Sequence, residues 1–405
     1  MRKVILIVTA LLLIGLTACE KPISENIVKP EQTEKPRTSA LKYTLEDVKT
    51  LKTKPLTMDV KRLDPKDWTT DIKIEKWSGE NLVIAVPNSN PTAEAGLAKR
   101  YNRITLLDGS GIVAQYDTGK HDVTDITLFP NYMLVKTRVK IDGVNVPGIA
   151  ELDYSGKCLW GLEIDKLSHS VEMLPNGNYL IMRGDYDQAI EMTREGKIAW
   201  EWNAMEGIPQ YAKENFTAFA DRTEPAFNVY NEFRMATPNG EIWTHANAVQ
   251  KLDDGYLISL RNLNLVVKVG FDKKIKWTVG ALLIKYQHRP RLLENGNILI
   301  YDNGNGRVVE FTPLGDVVFE YPIYSAVWGS VDKLSNGNYI FPSCFEGVIL
   351  EVSPNKEIVK KVVMGKMPLI RVHPKEALEW IGGEDITLNG LLPKDVQQAL
   401  EQREK

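Results

Sequence analysis

The 405 residues have the composition of an ordinary globular protein, 43% hydrophobic and 25% charged. With 50 basic against 53 acidic side chains the net charge is −3, and no basic surplus argues for a nucleic-acid partner. The three cysteines and five histidines show no spacing that resembles a metal site, and nothing in the sequence calls for a cofactor.

The chain starts Met1-Arg2-Lys3, and an apolar run from Val4 to Leu16 follows. That run is too short for a membrane-spanning helix, which needs about 20 apolar residues, and has the form of a secretory signal. It ends Leu16-Thr17-Ala18-Cys19, the pattern of a bacterial lipoprotein leader. Residues 1–18 are therefore expected to be removed. Cys19 is expected to carry lipid that anchors the chain to a bacterial membrane, in the periplasm or at the cell surface. Residues 19–40 are rich in Lys, Pro, Glu, Thr and Ser and cannot bury enough apolar surface to fold. They read as a flexible tether.

From residue 41 to about 366 the chain repeats itself. Leu174-Pro175-Asn176-Gly177-Asn178, Leu252-Asp253-Asp254-Gly255-Tyr256, Leu293-Glu294-Asn295-Gly296-Asn297 and Leu334-Ser335-Asn336-Gly337-Asn338 space their glycines by 78, 41 and 41 residues. Asn-Gly between alternating apolar residues predicts a hairpin in which both turn residues take positive φ. A second signal, ending in an aromatic residue, recurs as Gly156–Trp160, Gly196–Trp200, Lys274–Trp277 and Gly315–Phe319. The hairpin before Gly156 is the degenerate Phe129-Pro130-Asn131-Tyr132. The first copy is weaker still, with a turn at Ser78-Gly79-Glu80-Asn81.

Within one copy, strands are predicted at His169–Leu174, Tyr179–Arg183, Ala189–Thr193 and Lys197–Trp202. Four strands in about 40–45 residues is the period of a propeller blade. Six copies begin near residues 70, 120, 166, 244, 285 and 327. A β-sandwich with chance hairpins would not keep two registered signals per copy. The predicted fold is all-β: a six-bladed β-propeller of four-stranded antiparallel blades. Cys158 and Cys344 fall on different blades and are expected to be free, mostly buried thiols.

One stretch, Asn203–Trp243, has a blade's length but lacks the paired signals, and it holds six Phe and Tyr residues. It reads as an inserted lid, with a seventh blade as the alternative. Residues 367–405 change character and form a predicted helical tail, with helices at Pro374–Trp380 and Pro393–Glu404.

The histidines carry the chemistry. His169 and His288 each lie eight residues before a turn glycine. His245 lies ten before Gly255 and leaves Asn247 in the registered slot. Side chains two apart on a strand share a face, so His245 and Asn247 should point the same way. The first strand of a propeller blade lines the central channel. Three adjacent blades should therefore project imidazoles into one end of it. Arg261, at the end of the returning strand Tyr256–Arg261, adds a fixed cation, and the lid enters from that end. His121 and His373 do not keep the register and read as surface or hydrogen-bonded residues.

Trp243-Thr-His-Ala-Asn-Ala-Val249, Leu257-Ile-Ser-Leu-Arg261, Gln287-His288 and Tyr301-Asp-Asn-Gly304 follow in that order. Together they resemble the bacterial arylsulfate sulfotransferase family, over about residues 120–360. The resemblance implies a six-bladed propeller that moves a sulfuryl group from an aryl sulfate to a phenolic acceptor, in two steps, through a sulfated histidine. It makes His288 the nucleophile, sets His169, His245 and Arg261 around the sulfuryl oxygens, and adds Asn247 and Asn303 as substrate-binding residues. The sequence departs from the family at Arg289-Pro290, where small or acidic residues are more usual.

Two other readings share the repeats. A non-catalytic propeller lipoprotein that scaffolds envelope assembly would have no use for registered channel histidines. A quinoprotein dehydrogenase would want a calcium site and usually eight blades.

Overall fold

Each sequence repeat becomes one antiparallel sheet, and the sheets form a six-bladed β-propeller. The computed structural model describes residues 48–68, 72–79, 82–88, 102–208, 244–280, 283–325, 329–343, 346–364 and 370–382. The leader, Cys19, the tether, Cys344, the lid beyond Ile208 and the helix expected at Pro393–Glu404 lie outside these residues. Cys158 is free and half-buried, donating from Sγ to the Trp160 carbonyl at 3.6 Å.

Blade 3 runs Ser168–Met173, Tyr179–Arg183, Gln188–Met192 and Ile198–Asn203. Blade 4 runs Ala246–Leu252, Gly255–Leu260, Leu265–Gly270 and Ile275–Val279, and blade 5 His288–Leu292, Ile298–Asp302, Arg307–Phe311 and Val317–Pro322. These three have the four strands expected. The other three have five, and the extra strands come from the ends of the chain. Thr53–Pro55 edges blade 2, which begins at Asp122–Phe129, and Lys73–Trp77 edges blade 6, which begins at Asp332–Lys333.

Blade 1 departs most from the repeat pattern. Lys61–Arg62 forms its outer edge, and Arg371–Pro374 is its innermost strand, antiparallel to Leu82–Asn88. The ring therefore runs past residue 366, and the segment read as the start of a helical tail is the strand that closes it. The helix Ala377–Gly382 comes afterwards. Likewise Ser78-Gly79 is no blade hairpin, since it follows the outer strand of blade 6 and leads into blade 1.

The turns also differ from expectation. In blade 3 the Gly177 N–H donates to the Leu174 carbonyl at 2.9 Å, and the Leu174 N–H to the Asn178 carbonyl at 2.8 Å. Gly177 alone takes positive φ, +79°. This is a type I turn closed by a glycine bulge. Pro175 suits it, because its ring fixes φ near −65° and forbids the mirror-image turn, yet the same turn forms without proline at Gly296 and Gly337. No atom lies within 4 Å of a Cβ built on Gly177, so backbone conformation rather than crowding selects glycine there.

The turn asparagines and the aromatic signals help to join neighbouring blades. Asn176 and Asn178 both donate to Glu191 Oε1, at 3.0 and 2.7 Å. Tyr256 and Lys251 of blade 4 donate to its Oε2, at 2.6 and 2.7 Å. Burial opposes ionisation of Glu191, yet these donors outweigh it and lower its pKa to about 2. Trp200 then stacks on Tyr256 at 3.7 Å. The same set recurs at Glu310, Tyr339, Lys333 and Phe319 between blades 5 and 6, and Trp160 stacks on Tyr179 between blades 2 and 3.

Candidate active site

The inner strands of blades 3, 4 and 5 lose their regular pairing at one end, between Ser168 and Val171, Ala246 and Ala248, and His288 and Arg291. Such bulges re-aim side chains. Here they bring three imidazoles together. The His169 ring centroid lies 5.0 Å from that of His245 and 6.2 Å from that of His288. His169 and His245 hold left-handed backbone, at φ +53° and +49°. That conformation costs about 1–3 kcal/mol per residue and persists only where surroundings impose it. For His245 the surroundings are visible: the Asp187 carboxylate of blade 3 accepts from the Thr244 hydroxyl at 2.6 Å and the Ala246 N–H at 3.2 Å, on either side of it.

His288 is buried, and its Nδ1 lies 2.7 Å from Asn303 Oδ1. Asn303 donates through Nδ2 to the Ser325 carbonyl at 2.8 Å, so its amide oxygen faces the ring. His288 Nδ1 is then the protonated nitrogen, and the lone pair of the neutral ring sits on Nε2. Asn303, expected among the substrate-binding residues, thus holds the histidine ring in place. Asn247 donates to the carbonyl of Gln287 at 2.8 Å and fixes the chain just before His288, while its own Oδ1 is buried with no partner among the described residues. Gln287 in turn donates to Ser259 Oγ at 3.2 Å and to the Leu265 carbonyl at 3.0 Å.

Arg261 begins a 3-10 turn after the second strand of blade 4, and its backbone N–H reaches the His245 carbonyl at 3.4 Å. Its guanidinium packs 4.9 Å from the centre of the Tyr286 ring, and its charge disfavours protonation of all three histidines.

A cavity of about 240 Å³ adjoins the rings, lined by His169, His288 and Asn247 together with Lys136, Asp125 and Arg289. Sequence reasoning did not find Lys136 and Asp125, and it marked Arg289 only as a departure from the family. Lys136 Nζ donates to the His169 carbonyl at 2.8 Å, and burial lowers its pKa to about 8. Asp125 is gripped by Arg371 at 2.9 and 2.6 Å. Of the unregistered histidines, His373 is buried on the closing strand, where its Nε2 accepts from the Leu128 N–H at 3.4 Å. His121 is also buried. Among the described residues, no group of three or more His, Cys, Asp or Glu side chains could hold a metal ion.

Two family models, both arylsulfotransferase (ASST), match residues 98–282 and 231–365. The chain belongs to the arylsulfotransferase family. No curated protein sequence matches it. Among solved structures, a protein of unknown function from Bacteroides caccae is 13% identical, with a TM-score of 0.49 over 73% of this chain and 99% of its own. A catalytically inactive virginiamycin B lyase from Staphylococcus aureus, solved with quinupristin, is 14% identical, with a TM-score of 0.38 over 62% and 71%. These likenesses are too distant to bear on function, whereas family membership supports sulfuryl transfer from aryl sulfates in general.

For an arylsulfotransferase, the protonation state of the site matters. Burial lowers the pKa of His288 to about 3, against the opposing hydrogen bonds to Asn303 and the Tyr286 carbonyl, and that of His245 to about 4. Burial drives His169 well below its ordinary value, helped by the neighbouring rings and cations. All three are neutral at pH 7. This has a consequence for stability. Between about pH 3 and 6.5 the unfolded chain binds a proton at His288 that the folded chain does not, so acid favours unfolding. Full stability is present above 6.5 and falls by about 1.4 kcal/mol per pH unit below it for each such ring. Urea unfolding at pH 7 and 5 should show His288→Gln losing less stability on acidification than wild type. An unchanged loss would mean that His288 is not buried in neutral form.

Proposed function

We propose that the channel moves a sulfuryl group from a phenolic sulfate to a phenolic acceptor through a sulfated His288. The hydrogen bond from His288 Nδ1 to Asn303 carries this reading, because it leaves a neutral imidazole with its lone pair on Nε2. In the first step Nε2 attacks sulfur, the N–S bond forms, the S–O bond to the ring breaks, and the phenolate leaves and takes up a proton. In the second step the acceptor oxygen attacks sulfur, the N–S bond breaks and the acceptor's proton is released. Dividing one displacement in two lowers the barrier of each.

The sulfated imidazole carries positive charge, which Asn303 Oδ1 stabilises through the Nδ1 proton. In the transition state charge spreads over the three sulfuryl oxygens, by analogy with phosphoryl transfer. Neutral His169 and His245 can donate to those oxygens, and Arg261 supplies the fixed positive charge. As the monoanionic donor approaches, its charge raises the proton affinity of the two rings, so either can deliver a proton to the leaving oxygen.

The test is steady-state turnover of 4-nitrophenyl sulfate at varied phenol concentrations. Double-reciprocal plots should give parallel lines, the signature of a covalent two-step exchange. Intersecting lines would point to direct transfer between the two substrates, and absence of nitrophenol release across a panel of donors would remove the proposal.

A further inference from the structure

His288 is followed by a cation that the two transfer steps do not use. Arg289 is 8% exposed and lines the same cavity, on left-handed backbone at φ +46°. Both of its terminal amino groups are buried with no hydrogen-bond partner among the described residues. The nearby carboxylates do not answer it: burial favours the neutral form of Asp332, and the others are committed. Asp125, the one carboxylate in the cavity lining, is held at both oxygens by Arg371. Arg138 pairs with Asp122 at 3.3 Å, and Glu172 pairs with Arg291 at 2.5 Å. Lys136 adds a second cation to the wall, and the buried hydroxyl of Ser170 there also lacks a partner.

A buried guanidinium without a counter-charge is costly, and proteins keep one where an anion completes it. The pocket has room for an aromatic anion. A cavity of about 150 Å³ accepts benzene, so one of about 240 Å³ admits a substituted ring. The planar fork of arginine matches a carboxylate through two parallel hydrogen bonds. We propose that Arg289 receives a carboxylate on the aromatic ring of the substrate, so that the preferred acceptors are hydroxybenzoate-type phenols. The assignment rests on the sulfuryl-transfer reading for its phenol, but its binding step can be measured without transfer.

The experiment compares 4-hydroxybenzoate with 4-hydroxybenzamide, its uncharged counterpart of similar shape, by titration calorimetry and as acceptors from 4-nitrophenyl sulfate. The acid should bind about tenfold or more tightly than the amide and show a similar advantage in kcat/KM, as expected for a charge-assisted pair. Arg289→Asn, chosen because asparagine tolerates the left-handed backbone, should abolish the preference. Arg289→Lys, which keeps the charge without the fork, should retain part of it. Equal binding of acid and amide by the wild-type protein, or an undiminished preference in Arg289→Asn, would overturn the proposal. So would an equal loss for both compounds in Arg289→Asn, which would place Arg289 on the sulfuryl oxygens or in the framework. A carboxylate preference in calorimetry without any turnover would leave the anion site standing and remove the transfer reading. Turnover without a preference would do the reverse.

Discussion

Replacing His288 by asparagine is expected to abolish sulfuryl transfer and, with it, the covalent intermediate. Loss of a nucleophile that forms a bond to the transferred group costs about 10⁴-fold or more, because binding and charge stabilisation alone cannot replace the missing step. The measurement that separates this role from simple binding is mass spectrometry of enzyme quenched after exposure to 4-nitrophenyl sulfate without acceptor. Wild-type protein should gain one sulfuryl group on the peptide containing His288, and the variant none. His288→Asn keeps a polar side chain of smaller volume at a buried position, so its fold can be checked independently by unfolding. If the variant still acquires the label, another residue is the nucleophile. His169, whose ring lies 6.2 Å from that of His288, and His245 beside it are the two to examine next.

The parts of this molecule that sequence made legible are those with local causes. Gly177, Gly296 and Gly337 each take positive φ in a turn whose glycine is set by neighbouring residues. Trp160, Trp200 and Phe319 each stack on a tyrosine that follows the next strong turn. Ring closure was not legible, because Arg371–Pro374 is only four residues long and becomes a strand by pairing with Leu82–Asn88, nearly 300 positions away. The histidine register was informative but incomplete. His169 and His288 share an offset from their glycines, yet the left-handed residue is His169 in blade 3 and Arg289 in blade 5. Equal spacing thus concealed unequal bulges, which depend on pairing across the strand. Lys136 and Asp125 went unnoticed because they come from blade 2, which contributes no registered histidine. Asn303 could be named from the resemblance but not given its role, since that depends on the Ser325 carbonyl that orients its amide.

Arg261 should behave differently from His288, and the contrast is the sharper test of how the channel works. Removing one preorganised group from developing charge costs about 2.7–4 kcal/mol, or roughly a hundred- to a thousand-fold in rate. Arg261→Met should therefore slow formation and breakdown of the sulfated enzyme alike, because the sulfuryl oxygens carry developing charge in both steps. The His288 adduct should still accumulate at long times, since the nucleophile, its Nδ1 proton and Asn303 remain in place. Loss of the positive charge also removes one influence that disfavours protonation of the three rings. The acidic limb of the rate profile should consequently move to higher pH in the variant, a change that a purely structural defect would not produce. Donors with more acidic phenols add a further distinction. They relieve a missing proton donor, but they do not relieve missing charge on the sulfuryl oxygens. The Arg261→Met deficit should therefore be similar for good and poor leaving groups, whereas removing the histidine that protonates the leaving oxygen should be masked by good ones. A deficit in Arg261→Met that vanishes with 4-nitrophenyl sulfate would assign proton delivery, not charge stabilisation, to the arginine's neighbourhood.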